Sequence, residues 1–337
     1  MLKTKNDTLE LLKLFTSYMV VFIHVAFYGK FGVAIDALAR FAVPFFFLVS
    51  GYYSFQITTE KIKKRIRSIF ALIIFSSVCC TIFEIICLLK YNKDGLAVFL
   101  SKYTDLHTYI NFFLFNETIS SGHLWYLFAV LYVYIIFYFV TKFHIKEKAI
   151  FIVSFFLLLL HVVLGEGLSM FGATLPIPYV RNFALMGIPF FALGMFAKKH
   201  ENKFRNIPNY IILLMVVTGA FESIISRFLF GENELYIGSL FVLIAIVCVF
   251  IKGTDVKYPY FLTALDGCST YIYIFHIIIS TVIFIFYGVL GIDIHSSVIL
   301  ENLHPIIVCV TSTIFAYFFI KILKKFLKTS NLIEKTR

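Results

Sequence analysis

The sequence predicts an all-α, polytopic integral membrane protein with about ten transmembrane helices, and three observations support this class. Of the 337 residues, 60% are hydrophobic and 15% are charged, whereas soluble domains are about a quarter charged. The mean hydropathy is +0.90, and long apolar runs recur along the whole chain. Lysine and arginine are concentrated in every second segment between these runs. These observations exclude a soluble globular protein, and no nucleic-acid partner is expected.

Apolar runs of about 17–22 residues mark ten candidate spans. They lie near residues 9–29, 38–56, 68–89, 123–142, 149–165, 182–198, 209–226, 236–251, 269–288 and 304–323. The chain has no internal repeat, low-complexity tract or linker rich in proline and serine. We therefore expect residues 1–337 to form a single integral-membrane domain.

The basic residues predict the orientation of the chain. If the N-terminus lies in the cytoplasm and the chain crosses ten times, the cytoplasmic segments contain 23 of the 30 lysine and arginine residues. Such residues concentrate on the cytoplasmic side of membrane proteins, so both termini are predicted to be cytoplasmic. The first run follows several lysines but lacks a small-x-small cleavage site, which predicts an uncleaved first helix.

The six cysteines are interpreted as small buried hydrophobic residues, because none forms a C-x-x-C pair and nearly all lie in apolar runs. No metal site is expected. The sequence also lacks the G-x-x-x-x-G-K-[ST] loop of ATP-driven proteins and the H-E-x-x-H motif of zinc proteases.

Lys13 and His24 are the first candidate functional residues, because ionisable side chains inside a membrane span are energetically costly. Their spacing of eleven residues places both on one helix face, roughly 16–17 Å apart along the axis. Taken singly, Lys13 is also explained as a residue extending to the inner interface, and His24 as a packing residue. Together they favour function, with Lys13 near the inner leaflet and His24 in the outer half.

A basic cluster lies between the second and third predicted spans. It consists of Lys61, Lys63, Lys64, Arg65 and Arg67. One interpretation is topological, because a cytoplasmic loop is normally basic. The other is a phosphate clamp, since guanidinium and ammonium groups bind phosphates well. With Lys13 on the same side, the pattern suits coenzyme A, with phosphates at the cluster and the reactive end near His24.

Further candidates lie in the remaining spans. Arg40 begins a segment that continues through Pro44 to Ser50, Gly51 and Tyr52, where proline and glycine permit unusual backbone contacts. Arg40 is expected at the outer end of the second span, where it is also explained as an interface anchor. Other predicted substrate or pore residues are His123, Trp125, Arg181 and His276. Trp125, the only tryptophan, suits either an interface anchor or a sugar-stacking residue.

Two further features lie on the predicted outer side. Glu84, in the outer half of the third span, is predicted to orient the imidazole of His24. The long hydrophilic interval 90–122 contains a short apolar stretch. It is interpreted either as an interfacial or re-entrant element or as an ordered surface loop.

Several of these motifs together resemble the integral-membrane acyltransferase-3 family. They are Lys13-x10-His24, the Arg40 to Tyr52 segment, the basic start of the third span, and His123-Leu124-Trp125. The segment Tyr271-Ile272-Tyr273-Ile274-Phe275-His276 is similar to the family's late-helix histidine motif. The family usually has arginine where Lys13 stands, and its Arg-x-x-Arg motif is matched only as Lys64-x-x-Arg67.

The resemblance implies a ten-helix bundle with a central pore and an O-acyltransferase of bacterial surface glycans, located in the plasma membrane. It implies acyl-CoA, with acetyl as the expected group, as the donor and a glycan or lipid-linked sugar as the acceptor. His24 would act as a general base or briefly carry the acyl group. Lys13, Lys64, Arg65 and Arg67 would hold the nucleotide phosphates.

A second function remains open at this stage. The Arg40 segment is equally similar to the membrane half of the serine racemases of vancomycin resistance, which is thought to supply serine. This resemblance implies a small-molecule permease of the same fold. Those proteins carry a racemase domain after the membrane bundle, and residues beyond Arg337 would show whether one follows here.

Overall fold

The computed structural model describes residues 7–253 and 264–335, with side chains described up to Lys325. Within these residues the chain is helical and contains no β-strand, which confirms the predicted all-α class. The helices are α1 (Asp7–His24), α2 (Gly29–Ala39), α3 (Ala42–Tyr52), α4 (Thr59–Tyr91), α5 (Lys93–Ser101), α6 (Leu106–Phe115), α7 (Trp125–Lys142), α8 (Glu147–Val162), α9 (Ile177–Val180), α10 (Ile188–Lys199), α11 (Glu201–Arg205), α12 (Asn209–Phe230), α13 (Ile237–Lys252), α14 (Cys268–Val289) and α15 (Val298–Lys335).

Eight helical stretches in the described part of the chain are long and apolar enough to cross a membrane. They are Gly29–Tyr52, Thr59–Tyr91, Gly122–Lys142, Glu147–Gly167, Ile177–Lys199, Asn209–Phe230, Cys268–Val289 and Val298–Lys325. The two other predicted spans also fall on helices. Helix α13 is apolar but has only 16 residues, and α1 carries three charged residues among its 18. A multi-pass membrane protein is therefore supported, while the count of ten, the pore and the orientation stay predictions.

The chain divides into two compact units. The terminal unit contains Met1–Ala42 and Val249–Arg337, and the central unit contains Val43–Cys248. The prediction of a single domain is not tested by this division.

The core of the terminal unit is formed by α1, α14 and α15. Leu14 and Val21 lie on one stripe of α1, because a spacing of seven residues repeats on a helix face, and Val25 directly follows the helix. They pack against residues of the other two helices, including Ile272 and Val308. This packing fixes α1 against α14, the two helices that carry His24 and His276.

A break separates α2 from α3 at Arg40 and Phe41. Pro44 explains it, because proline has no N–H and its ring collides with the carbonyl four residues earlier, that of Arg40. The helical stretch begins at Gly29, earlier than the predicted boundary of residue 38. Eleven residues of the stretch precede Arg40, so it lies within the helical stretch and not at its start, while its expected place at the outer end of the span stays a prediction.

Glycines allow α3 and α10 of the central unit to approach closely. A Cβ atom at Gly51 would lie 1.8 Å from the Phe191 carbonyl oxygen, and one at Gly194 would lie 1.9 Å from the Leu48 oxygen. Small residues at such crossings let helix backbones meet in a membrane. The two glycines therefore set the spacing of this helix pair.

The interval 90–122 contains the helices α5 and α6. Several apolar side chains of these helices are exposed, among them Val98, Leu106 and Phe113. This pattern is compatible with the interfacial interpretation, which stays a prediction.

Candidate functional site

His24 and His276 form an imidazole pair in the terminal unit. Their ring centroids lie 5.3 Å apart, with the ring planes inclined by 37°. His24 is the last residue of α1 and its side chain is exposed, whereas His276 lies within α14 and is fully buried. The sequence selected both residues separately, and the structure brings them together.

Hydrogen bonds determine which nitrogen of His276 carries a proton. Its Nδ1 lies 2.8 Å from the Tyr273 carbonyl oxygen and 3.2 Å from that of Ile272. Because a carbonyl oxygen only accepts, Nδ1 must be the donor. In the neutral ring the lone pair then lies on Nε2, a tautomer assigned from the hydrogen bonds. The backbone of α14 thus fixes both the orientation and the tautomer of this imidazole.

Lys13 lies on α1, one continuous helix that also carries His24. Its Nζ donates to Glu10 Oε1 at 2.8 Å, an ion pair of one helix turn in which both side chains are half-buried. Glu10 was missed in the sequence, although an acidic residue three positions before a lysine is a recognisable pairing signal. The carboxylate neutralises part of the charge that Lys13 offers to a ligand.

Arg40 is buried and paired with Asp36. Its Nη2 donates to Asp36 Oδ1 at 2.7 Å, and only 5% of the Arg40 side chain is exposed. Asp36 was also missed, although its spacing of four residues on a helix is again diagnostic. Because a buried arginine needs a counter-charge, the pair explains how Arg40 is accommodated inside an apolar stretch.

Arg65 is a structural anchor of the central unit. Its Nη1 donates to Ser54 Oγ at 2.6 Å and to the Tyr134 hydroxyl at 2.9 Å. Its Nη2 donates to the Tyr53 carbonyl oxygen at 2.8 Å. One guanidinium thus joins the start of α4, the end of α3 and the middle of α7.

The other basic residues of the cluster lie on the first turns of α4 and not in a loop. Lys63 pairs with Glu60 at 3.0 Å and lies over the Tyr138 ring. Lys64 and Arg67 are exposed, and neither has an ion-pair partner among the residues with described side chains. These two cations are therefore available to an anionic ligand.

Ser50, Gly51 and Tyr52 form the last turn of α3 and serve packing and hydrogen bonding. The Ser50 carbonyl oxygen accepts from Ser54 Oγ at 2.6 Å, and Gly51 faces the backbone of α10. The Tyr52 hydroxyl lies 3.4 Å from the Lys198 ammonium, which also lies over the Tyr52 ring. This turn holds α3 to its neighbours.

His123 and Trp125 are both buried. The Trp125 ring packs against Phe47, and the Arg181 guanidinium lies 5.3 Å from the ring centroid. Arg181 is also 3.5 Å from a carboxylate oxygen of Glu234. The structure therefore joins the predicted residues Trp125 and Arg181, and it adds Glu234, which the sequence analysis did not select.

Glu84 is half-buried on α4 in the central unit. Its carboxylate has a hydrogen bond to the backbone of Ser121 and an electrostatic interaction with Lys102. His24 belongs to the terminal unit, so its predicted pairing with Glu84 stays a prediction. In the described residues, no group of three or more His, Cys, Asp or Glu side chains is arranged to hold a metal ion.

A comparison with protein-family models identifies the class of this protein. The acyltransferase-3 family model, described as an acyltransferase domain, matches residues 6–321. The chain therefore belongs to this family, which confirms the resemblance found in its motifs. Searches of curated proteins and of solved structures gave no match. Together, the family and the apolar helices indicate a membrane acyltransferase.

Proposed function

We propose that this protein transfers an acyl group, expected to be acetyl, from cytoplasmic acyl-CoA to a hydroxyl of an extracytoplasmic cell-surface glycan. The observation that carries the proposal is the His24–His276 pair, 5.3 Å between ring centroids, in a member of an acyltransferase family. Imidazoles are the commonest general acids and bases near neutral pH. An exposed imidazole beside a buried, oriented one suits proton transfer.

His24 is the proposed general base. It removes the proton from the acceptor hydroxyl while the oxygen attacks the thioester carbonyl carbon. The C–S bond of the tetrahedral intermediate then breaks, and the proton held by His24 passes to the departing thiolate. In the alternative order, His24 first takes the acyl group from the thioester and then passes it to the acceptor hydroxyl. In both orders an ester forms, a thioester is lost and no net proton is consumed.

His276 is the proposed positioning residue. Its Nδ1–H is held by backbone carbonyl oxygens, so its ring presents a constant face to His24. His276 thus positions the imidazole of His24, which is the group proposed to gain and lose the proton.

Lys13, Lys64 and Arg67 are proposed to bind the phosphates of the donor. Arg65 holds the start of α4, the helix on which Lys64 and Arg67 lie. The exposed Lys64 and Arg67 side chains support this assignment. In the proposed orientation all of these residues lie on the cytoplasmic side. The donor arm then extends toward His24, and the phosphates never enter the hydrocarbon core, where an ion is very costly.

The proposed location is the plasma membrane of a bacterium, with membrane lipids around the helices and both termini in the cytoplasm. Exposed apolar side chains along α4, α8 and α12, such as Ile82, Phe155 and Leu213, support contact with lipid. The acceptor is a surface glycan or a lipid-linked sugar.

Mass spectrometry of surface glycans tests the proposal. Cells that carry the gene should show ester-linked acyl groups on a surface glycan, and cells without it should lack them. Mild alkali should remove the added mass, because esters hydrolyse and amides resist. Identical glycan acylation in the two strains would contradict the proposed function.

A further inference from the structure

A polar site lies within the central unit, and none of the residues assigned to the transfer chemistry lines it. It is a cavity of about 380 Å³, within the range of about 300–1,000 Å³ typical of ligand sites. One wall is apolar and includes Leu164, Leu175 and Ile177. The polar lining consists of His161, Thr174, Glu232, Asn233 and Glu234.

The loop that carries three of these polar residues is firmly held. Tyr236 is fully buried, and its hydroxyl donates to the Gly231 carbonyl oxygen at 3.0 Å. The same hydroxyl accepts from the Asn233 backbone N–H at 3.0 Å. The Asn233 side chain in turn donates to Ser169 Oγ at 2.9 Å. The polar wall is therefore preorganised, which reduces the entropy lost on binding.

Two ion pairs set the charge of the cavity. Glu234 is paired with Arg181 at 3.5 Å and Glu232 with Arg227 at 3.4 Å. Each carboxylate thus has a cationic partner, and the lining is close to neutral. This balance favours an uncharged ligand over an anion or a cation.

The hydrogen-bonding character of the lining favours a ligand rich in donors. Carboxylates only accept hydrogen bonds, and His161 adds a buried ring nitrogen. His161 is 1% exposed, its ring has a hydrogen bond to the backbone of Val180, and its Nδ1 has no further hydrogen bond of good geometry within the described residues. Buried polar atoms are stabilised by hydrogen-bond partners, so a ligand hydroxyl that reaches this ring adds a favourable contact.

We infer that this cavity binds the hydroxyl-rich sugar of the acyl acceptor. A neutral sugar combines an apolar ring face with several O–H donors, and the cavity combines an apolar wall with several acceptors. In the proposed orientation the loops that line it are extracytoplasmic, on the side of the acceptor. The assignment of the sugar to the acceptor rests on the proposed function.

Gly165 offers a way to fill the cavity without disturbing its walls. A Cβ atom at this cavity-lining position meets no atom within 4 Å, so Gly165→Leu extends into open space. Gly288→Leu is the matched control, because Gly288 is also in a helix with nothing within 4 Å of its Cβ position. Glu234→Gln removes one acceptor, and Glu147→Gln is its control, since Glu147 pairs with Lys199 and does not line the cavity.

Binding is measured with the full chain in lipid nanodiscs, which avoids detergents with sugar headgroups. The probes are N-acetylglucosamine, maltose and, as a non-sugar comparison, serine, each observed by saturation-transfer NMR. At least one sugar should bind to the wild type and to Gly288→Leu but not to Gly165→Leu. Glu234→Gln should weaken that binding about tenfold, as expected for a hydrogen bond to a charged group, while Glu147→Gln should not.

The same samples then receive acetyl-CoA together with the sugar that binds, and the acetylated sugar is quantified. The inference predicts that Gly165→Leu loses transfer to the sugar, whereas Gly288→Leu keeps it. Absence of sugar binding to the wild type, or equal binding to Gly165→Leu, would overturn the site. If Gly165→Leu abolishes sugar binding but retains transfer, the bound sugar is not the acyl acceptor. If the wild type never deacylates acetyl-CoA, the proposed function is wrong. The sugar site would still stand if a sugar binds to the wild type and not to Gly165→Leu.

Discussion

At the scale of single residues, two basic side chains within the apolar helices are compensated by an acidic residue on the preceding turn. Lys13 has Glu10 three residues away, and Arg40 has Asp36 four residues away. Such pairs are expected in a membrane, where a lone charge is costly. The residue type and its position in an apolar helix are therefore sufficient to predict these basic residues, and the i,i+3 and i,i+4 spacing predicts their acidic partners.

Partners that come from distant parts of the chain could not be predicted in this way. Arg65 contacts Tyr134, which lies 69 residues away, and Arg181 contacts Glu234. His161 lines a cavity to which a much later loop contributes Glu232, Asn233 and Glu234. Nothing in the local sequence distinguishes these contacts, because helix packing creates them.

The histidine pair gives the first prediction. His24→Ala should lower acyl transfer about 10²–10⁴-fold, the usual contribution of a general base. His276→Ala should also lower transfer, and its pH–rate profile should shift because the neighbouring imidazole is no longer oriented. The rates are measured with the purified protein in nanodiscs, with acetyl-CoA and the acceptor glycan.

His304→Gln is the matched control for the pair. His304 also lies in the terminal unit, where its Nε2 is 3.3 Å from Ser280 Oγ and its ring is 5.8 Å from that of Tyr287. This variant should retain activity. Full activity in His24→Ala, with normal amounts of inserted protein, would remove His24 from the mechanism.

The two arginines of α4 give the second prediction, because they lie two residues apart and differ in their contacts. Arg65→Ala should lower the midpoint of thermal unfolding, because each hydrogen bond made by a charged group contributes up to about 3 kcal/mol to stability. Arg67→Ala should leave the midpoint unchanged but weaken acetyl-CoA binding. Reversal of both Lys64 and Arg67 to Glu should raise the dissociation constant tenfold or more, which corresponds to about 1.4 kcal/mol.

Salt provides the control for this assignment. Acetyl-CoA binding to the wild type should weaken as ionic strength rises, because exposed charges are screened over about 10 Å at 0.1 M. The variant with Lys64 and Arg67 reversed should show a smaller salt effect. If the affinity and its salt dependence are unchanged in that variant, Lys64 and Arg67 do not bind the donor and only contribute to the topology.

At the scale of helices, hydropathy identified the elements, whereas the local geometry of the chain determined their ends. Every predicted span falls on a helix, because burial in lipid or in the core requires continuous apolar runs. The helical stretch that contains Arg40 begins at Gly29 and not near residue 38, because the helix extends beyond the most apolar residues. Pro44 then divides the stretch in a way that hydropathy does not register.

The crossing of α3 and α10 gives the third prediction. Gly51→Ala and Gly194→Ala should each destabilise the protein, because the added methyl group would collide with a backbone oxygen at less than 2 Å. Overpacking typically costs about 1–3 kcal/mol, and a backbone neighbour cannot rotate away. The measurement is the thermal unfolding midpoint in nanodiscs, together with the yield of inserted protein.

Gly288→Ala is the control for the crossing. Nothing lies within 4 Å of its Cβ position, and alanine is favoured over glycine inside a helix by roughly 0.5–1 kcal/mol. This variant should be as stable as the wild type or more stable. Equal stability of Gly51→Ala and the wild type would show that the two helices are not held at this spacing.

At the scale of the whole molecule, the distribution of lysine and arginine predicts the direction of transfer. The cytoplasmic segments of the proposed topology contain 23 of the 30 basic residues, including those assigned to the donor. The phosphates of acyl-CoA cannot cross a hydrocarbon core at an acceptable energy. We therefore expect the acyl group to cross the membrane while CoA remains on the cytoplasmic side.

Sealed vesicles with the cytoplasmic face outward provide the fourth prediction and its test. Acetyl-CoA labelled in the acetyl group is added outside, and the acceptor glycan is enclosed within. Labelled glycan should accumulate inside while CoA appears outside, and vesicles that contain His24→Gln should form neither product, since the proton acceptor is missing. A permease would instead accumulate labelled serine without any acyl donor. Serine uptake together with intact acetyl-CoA would show that the protein is a transporter of this fold and not an acyltransferase.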